Sequence, residues 1–148
     1  MGVAYNDQKV SAKKLSEFAA YDYYPEKWEK SVSFNAGAFF FTFVWLAYRK
    51  MYLFSFLYYL LSAVVFFVLG ELGISWLYGI VLFVIMGFIG NRLYLHFAEN
   101  KIARISSMYS DPDEQRKRIV QAGGTNFGAA FFVGVVYVAL FIGVYGSY

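Results

Sequence analysis

The chain has 148 residues, of which 59% are apolar, 16% charged and 23% aromatic, with 17 Phe, 14 Tyr and 3 Trp. Soluble domains average roughly 45–50% apolar and about 25% charged residues, so this composition excludes a disordered chain and points to a membrane protein. The lack of Cys removes disulfide and thiolate chemistry, and a single His gives no ordinary multi-histidine metal site, so no cofactor is expected. The formal charge of +3 is read as membrane topology, not as a sign of a nucleic-acid partner.

Residues 1–33 carry five Lys and five acids, with no apolar run of the kind a secretory signal needs and no Ser or Thr at position 6 for a myristoylation signal. They read as a cytoplasmic region. Val10, Leu15, Phe18 and Ala19 recur at helical spacing and predict a short amphipathic helix over about residues 11–20. An aromatic and acidic stretch, 21–29, follows and is broken by Pro25.

Residues 34–48 are uncharged but cover only about 22 Å of helix, short of the roughly 30 Å hydrocarbon core. The uncharged runs 51–70 and 72–91 are each 20 residues long and should cross, the second span continuing to residue 92. Their hairpin turns near Glu71, Leu72 and Gly73, with Trp76 and Tyr78 in an aromatic belt. Charge decides the topology of 34–48. If it dips without crossing, all 13 Lys and Arg fall on one side; if it crosses, the basic residues are split between the two sides. Crossing would also require a reversal at Arg49-Lys50 without Gly, Pro or Asn, which turn chemistry disfavours.

Residues 93–124 predict a cytoplasmic helical hairpin. Ser110-Asp111-Pro112 stops one helix and starts the next, with Asp113 and Glu114 in its first turn and Arg116, Lys117 and Arg118 later. Gly123-Gly124 ends it, and Thr125 or Asn126 can cap a third span over 127–146. The expected fold is an all-α integral membrane protein. Three transmembrane helices (51–70, 72–92, 127–146) are joined by an N-proximal interfacial or re-entrant aromatic helix (34–48) and the hairpin, so the membrane domain is 34–148 and 1–33 a separate N-terminal region. The N-terminus is expected in the cytoplasm and the C-terminus outside.

Several residue groups are candidate sites. Trp45, Tyr48, Arg49, Lys50, Tyr52 and Arg92 suit a headgroup layer, where long cationic chains snorkel to phosphates, those of anionic lipids at the cytoplasmic face above all. Asn35 is placed to cap the 34–48 helix. Asn91, Arg92, His96 and Glu99 or Asn100 recur on one edge of the exit from the second span, and His96 beside Glu99 is the pair that surface acid/base chemistry would use. Ala130, Gly134, Ala139 and Gly143 form two small-xxx-small pairs on the third span, and Gly79, Gly87 and Gly90 thin one side of the second. Ile102, Ile105, Met108 and Tyr109 form an apolar stripe that needs cover, towards which the hairpin's second helix offers mainly Ile119 and Val120.

Phe34, Asn35, Ala38, Phe40, Phe41, Trp45, Tyr48, Arg49, Lys50 and Met51 make an FNxxAxFFxxxWxxYRKM segment. With Gly90-Asn91-Arg92-Leu93-Tyr94 and Gly123-Gly124-Thr125, it resembles a family of small bacterial inner-membrane proteins of unknown function over about residues 30–148. The chain departs from that pattern at Gly37, where relatives carry Trp nearby, and at Thr42-Phe43, where they carry Gly-Pro. The resemblance implies a bacterial inner-membrane location and no particular activity. The sequence favours a non-enzymatic scaffold, assembly factor or accessory subunit acting through helix association, as a homo-oligomer or within a membrane complex. A homo-oligomeric channel or small transporter lined by Thr42, Ser55 and Ser62 is the alternative, and a surface enzyme around His96 ranks below both.

Overall fold

The computed structural model describes residues 10–20, 23–30 and 32–145; Lys9, Tyr21, the last three residues and the side chain of Trp76 lie outside the described parts. Among the described residues there are seven helices and no strand: α1 (Ala12–Ala19), α2 (Tyr23–Trp28), α3 (Ala36–Tyr48), α4 (Tyr52–Glu71), α5 (Ser75–Met108), α6 (Pro112–Ala122) and α7 (Phe127–Tyr145). Three stretches are long and apolar enough to cross a membrane: α4, α5 from Leu77 onward, and the stretch that continues into α7. Most of their large apolar side chains point outward, as lipid-facing helices require.

Short polar side chains set the helix starts. Ser11 Oγ accepts from Lys14 N, Asn35 Oδ1 from Ala38 N at 2.9 Å, Asp111 Oδ2 from Glu114 N at 2.9 Å and Asn126 Oδ1 from Ala129 N at 3.0 Å. Each satisfies an orphan amide at a helix N-terminus. Pro25 does not break the aromatic stretch as expected, because it lies in the first turn of α2, where its missing N–H has no helical partner to lose. The exit of the second span and the first arm of the hairpin are one unbroken helix of 34 residues, about 50 Å long.

α3 is the hub. It packs against α4, α5 and α7, whereas among the described residues no Cα of α7 comes within 8 Å of α4 or α5. The helix is broken at Thr42, whose backbone (φ 37°, ψ −108°) is far from helical. A Cβ added at Gly37 would sit 2.9 Å from the indole of Trp45, eight residues on. In a straight helix these residues are about 12 Å apart along the axis, so α3 doubles back at the break. Ser55 Oγ donates to the Phe43 carbonyl at 2.7 Å, satisfying an acceptor beside the break. Both Thr42 and Ser55 are buried and serve this bend.

The reversal after α3 is made without Gly. Met51 N donates to Leu46 O at 2.9 Å and Lys50 N to Ala47 O at 3.0 Å, with Lys50 left-handed at φ 60°. This is a Schellman turn with lysine where glycine is usual, so the turn that sequence chemistry disfavoured is present. Gly73 closes α4 with the same hydrogen-bond pattern, at φ 72°.

Close approach holds α3 to α5. Cβ atoms at Gly87 and Gly90 would lie 2.4 Å from the Phe34 ring and 2.6 Å from Ala38 Cβ, so both glycines are occupied by intramolecular packing. Lipid supplies no hydrophobic drive between helices, and small residues at a contact are what allow it to form. Beyond the apolar part of α5, α1 packs on α5 and α6, and α2 on α5. This cap covers much of the stripe: Ile102 is buried with Phe18 and Ile119, and Ile105 is partly covered. The sequence reading considered only α6 as cover. The amphipathic face of α1 supplies the rest, leaving Met108 at 60% exposure and Tyr109 half-buried.

Candidate functional site

Where the cap meets α3, one guanidinium lies against three tyrosine rings, and one of these, Tyr94, is the centre of a larger aromatic cluster. Tyr94, on the inward face of α5, is fully buried. Tyr24 stands edge-on to it at 4.9 Å, with Trp28, Trp45 and Phe18 at 5.5, 6.1 and 6.1 Å between ring centres. Arg49 enters from the C-terminus of α3. Its guanidinium carbon lies 4.2 Å from the centre of the Tyr24 ring, 5.2 Å from Tyr94 and 5.5 Å from Tyr48, and Nη1 donates to Ala19 O at 3.3 Å. The planar cation both stacks on rings and caps an α1 carbonyl, two roles that an ammonium fills poorly.

The sequence reading put Arg49 at lipid phosphates. At 6% exposure it is instead enclosed by protein, because the cap helices that sequence could not position fold over it. Lys50 Nζ donates to Gln121 O at 3.0 Å and so caps α6, while the Tyr52 hydroxyl accepts from Asn126 Nδ2 at 2.9 Å. Trp45 and Tyr48 line the ring cluster; Arg92 is exposed. Partial burial, with the neighbouring Tyr24 adding, holds the Tyr23 phenol above its usual pKa.

A polar cluster lies beside the rings. Asn35 Nδ2 donates to Asn91 Oδ1 at 2.8 Å, and Asn91 Nδ2 donates to Ser33 Oγ at 2.9 Å. The Trp28 indole N–H donates to Asn91 O, and Asn35 N to Gly87 O. Asn91 therefore points inward, away from the exposed Arg92 and His96 with which its spacing grouped it. Sequence reasoning missed Tyr94, Tyr24 and Asn91 as partners. The YRKM and GNRLY segments that carry the family resemblance held the only hint.

Gly123 and Gly124 complete the junction. Gly124 N donates to Phe18 O at 2.8 Å, and a Cβ on Gly123 would lie 2.0 Å from that same oxygen. The pair does more than end α6: it admits the C-terminus of α1. Arg116 Nε lies 3.0 Å from Glu17 Oε1, a further tie between α6 and α1.

The small residues of the third span do not form one face. Ala130 is buried toward α3, whereas Gly143 lies nine residues from Gly134, half a turn away around the helix. Cβ atoms on Gly134 and Gly143 would meet nothing within 4 Å. Among the described residues no group of three His, Cys, Asp or Glu is placed to hold a metal. The ring cluster holds one cation, with amides and phenols beside it, and joins the cap to α3.

The architecture is that of an all-helical membrane protein with three candidate spans and a broken, aromatic half-helix at their centre. The chain belongs to the family described as Protein of unknown function (DUF2628), whose family model matches residues 7–100. That stretch takes in α1 to α4 and most of α5, and with them every ring around Arg49. No curated protein and no solved structure shows a significant match to the chain.

Proposed function

We propose that the chain is a non-enzymatic module of a bacterial inner membrane, a scaffold, assembly factor or accessory subunit that works by helix association through α7. One observation carries this reading: among the described residues the backbone of α7 comes within 8 Å of no other helix than α3, and its outward small pair, Ala139 and Gly143, is exposed. A helix whose backbone meets only one neighbour has an outward face available to another helix, and small residues permit the close approach on which association in lipid depends. In this reading the N-terminus is cytoplasmic and α3 is re-entrant, with both its ends meeting α5 between Gly87 and Tyr94. The channel alternative loses two of its lining residues, since Thr42 and Ser55 are buried at the bend of α3.

Gly143→Leu should reduce the mass of the complex extracted in mild detergent, with Gly134→Leu weaker because that position lies on the other side of the helix. An unchanged monomer mass for wild type and both variants, with no co-purifying partner, overturns the reading. Topology is tested separately by cysteines introduced at Ser33 and Lys50. Both should be labelled from the cytoplasmic side, and external labelling at either removes the re-entrant arrangement.

A further inference from the structure

Two grooves lie on either side of the turn from α3 into α4, linked by the bond from Lys50 to Gln121, and neither is used by association through the Ala139–Gly143 side of α7. The first, about 270 Å³, lies between α4 and α7 with α3 as its floor; Phe43, Phe56, Tyr59, Val136 and Tyr137 line it and Tyr52 stands at one end. It exists because the backbones of α4 and α7 stay apart, separated by α3. Within a bilayer such an apolar slot opens sideways onto lipid tails. The second, about 430 Å³, lies between α5 and α6 and is lined by Lys101, Arg104, Arg118, Met108, Tyr109 and Gln121. No carboxylate lines it, although Glu114 pairs with Arg118 from the flank at 2.7 Å.

Lys50 and Tyr52 connect the two. Lys50 Nζ is bound to the carbonyl of Gln121, which lines the basic groove, and Tyr52, which lines the apolar one, is bound to Asn126 at the start of α7. An apolar slot, a lysine bound between it and the basic groove, and two cations lining that groove follow the order of parts in one ligand: acyl chain, phosphate, negatively charged headgroup. We propose that the two grooves form a single site for an anionic phospholipid of the leaflet that holds α3, its acyl chain between α4 and α7 and its headgroup toward Lys101 and Arg104. A zwitterionic lipid would fill the slot equally well but would gain nothing from the cations.

Native mass spectrometry of the full chain, exchanged into detergent with equal phosphatidylglycerol and phosphatidylcholine, tests this. Wild type should retain one phosphatidylglycerol in preference to phosphatidylcholine. The exposed double variant Lys101→Gln/Arg104→Gln should lower that preference by up to about thirtyfold, taking about fivefold for each cation near a charged lipid surface. Val136→Trp, which fills the slot from a partly exposed position, should lose the retained lipid while circular dichroism keeps its helical signal. Equal retention of the two lipids by wild type, retention unaffected by Val136→Trp, or full displacement by millimolar inorganic phosphate would each overturn the proposal. The complex mass bears on association, and lipid retention per chain does not, so the two readings can fail separately.

Discussion

Replacing Gly123 with Ala is expected to release α1 from the cap while leaving the membrane helices in place. The backbone at Gly123 (φ −89°, ψ −155°) is open to any residue, so the whole effect is steric. The new Cβ would lie 2.0 Å from Phe18 O, 2.7 Å from Phe18 C and 2.9 Å from its Cα. Backbone cannot swing aside as a side-chain tip can, so the two segments must part by at least about 1.4 Å to reach an ordinary contact. That separation breaks the Gly124 N to Phe18 O bond and stretches the Arg49 bond to Ala19 O. A neutral hydrogen bond contributes about 0.5–1.5 kcal/mol and one to a charged donor about 1.5–3, so roughly 2–4 kcal/mol of docking is lost.

Hydrogen exchange over residues 12–19 should therefore accelerate by about 30- to 1,000-fold, with α4 and α7 unchanged. Gly124→Ala is the control: its left-handed φ of 70° costs about 1–2 kcal/mol of strain, but its Cβ would lie 3.8 Å from Ala20 Cβ, an ordinary contact. It should lower stability without selectively exposing α1. Unchanged protection of α1 in Gly123→Ala, or selective loss in Gly124→Ala alone, would refute the docking argument.

Arg49→Lys keeps the charge but loses planar stacking on Tyr24 and Tyr94, and should destabilise by about 1–2 kcal/mol, seen as a thermal midpoint in mild detergent lowered by about 2–4 °C per kcal/mol. An unchanged midpoint would remove the ring cluster as an energetic feature. Gly90→Ala should be worse than Gly87→Ala. At Gly90 the new Cβ would meet Ala38 Cβ, which cannot rotate away, at an expected cost of about 1–3 kcal/mol; at Gly87 it would meet the edge of the partly exposed Phe34 ring, which can turn, and better helix propensity offsets about 1 kcal/mol. The reverse order in denaturant titrations would contradict the described packing of α3 on α5.

Local chemistry on the page of the sequence determined the helices of this protein and their ends. Runs of 20 uncharged residues, Asp111-Pro112, Asn126 and the pair Gly123-Gly124 each act through neighbours a few residues away, so their consequences are readable without knowing the fold. The length of residues 34–48 likewise announced an apolar helix shorter than the three candidate spans. What it could not show was the break at Thr42, where the chain lacks the Gly-Pro that would announce one and the bend is held by Ser55 from another helix. The same limit explains Arg49. A cation beside an apolar segment reads as a lipid anchor, because headgroup and aromatic cage offer it similar chemistry; only the folding of α1 and α2 onto Tyr94, some 66 to 82 residues away in sequence, decides between them. Likewise Gly87 and Gly90 read as a thin face open to any partner, until the position of α3 fills it. Helix formation rests on bonds four residues apart, whereas the burial of a side chain rests on which distant segment reaches it, and that is fixed by tertiary packing.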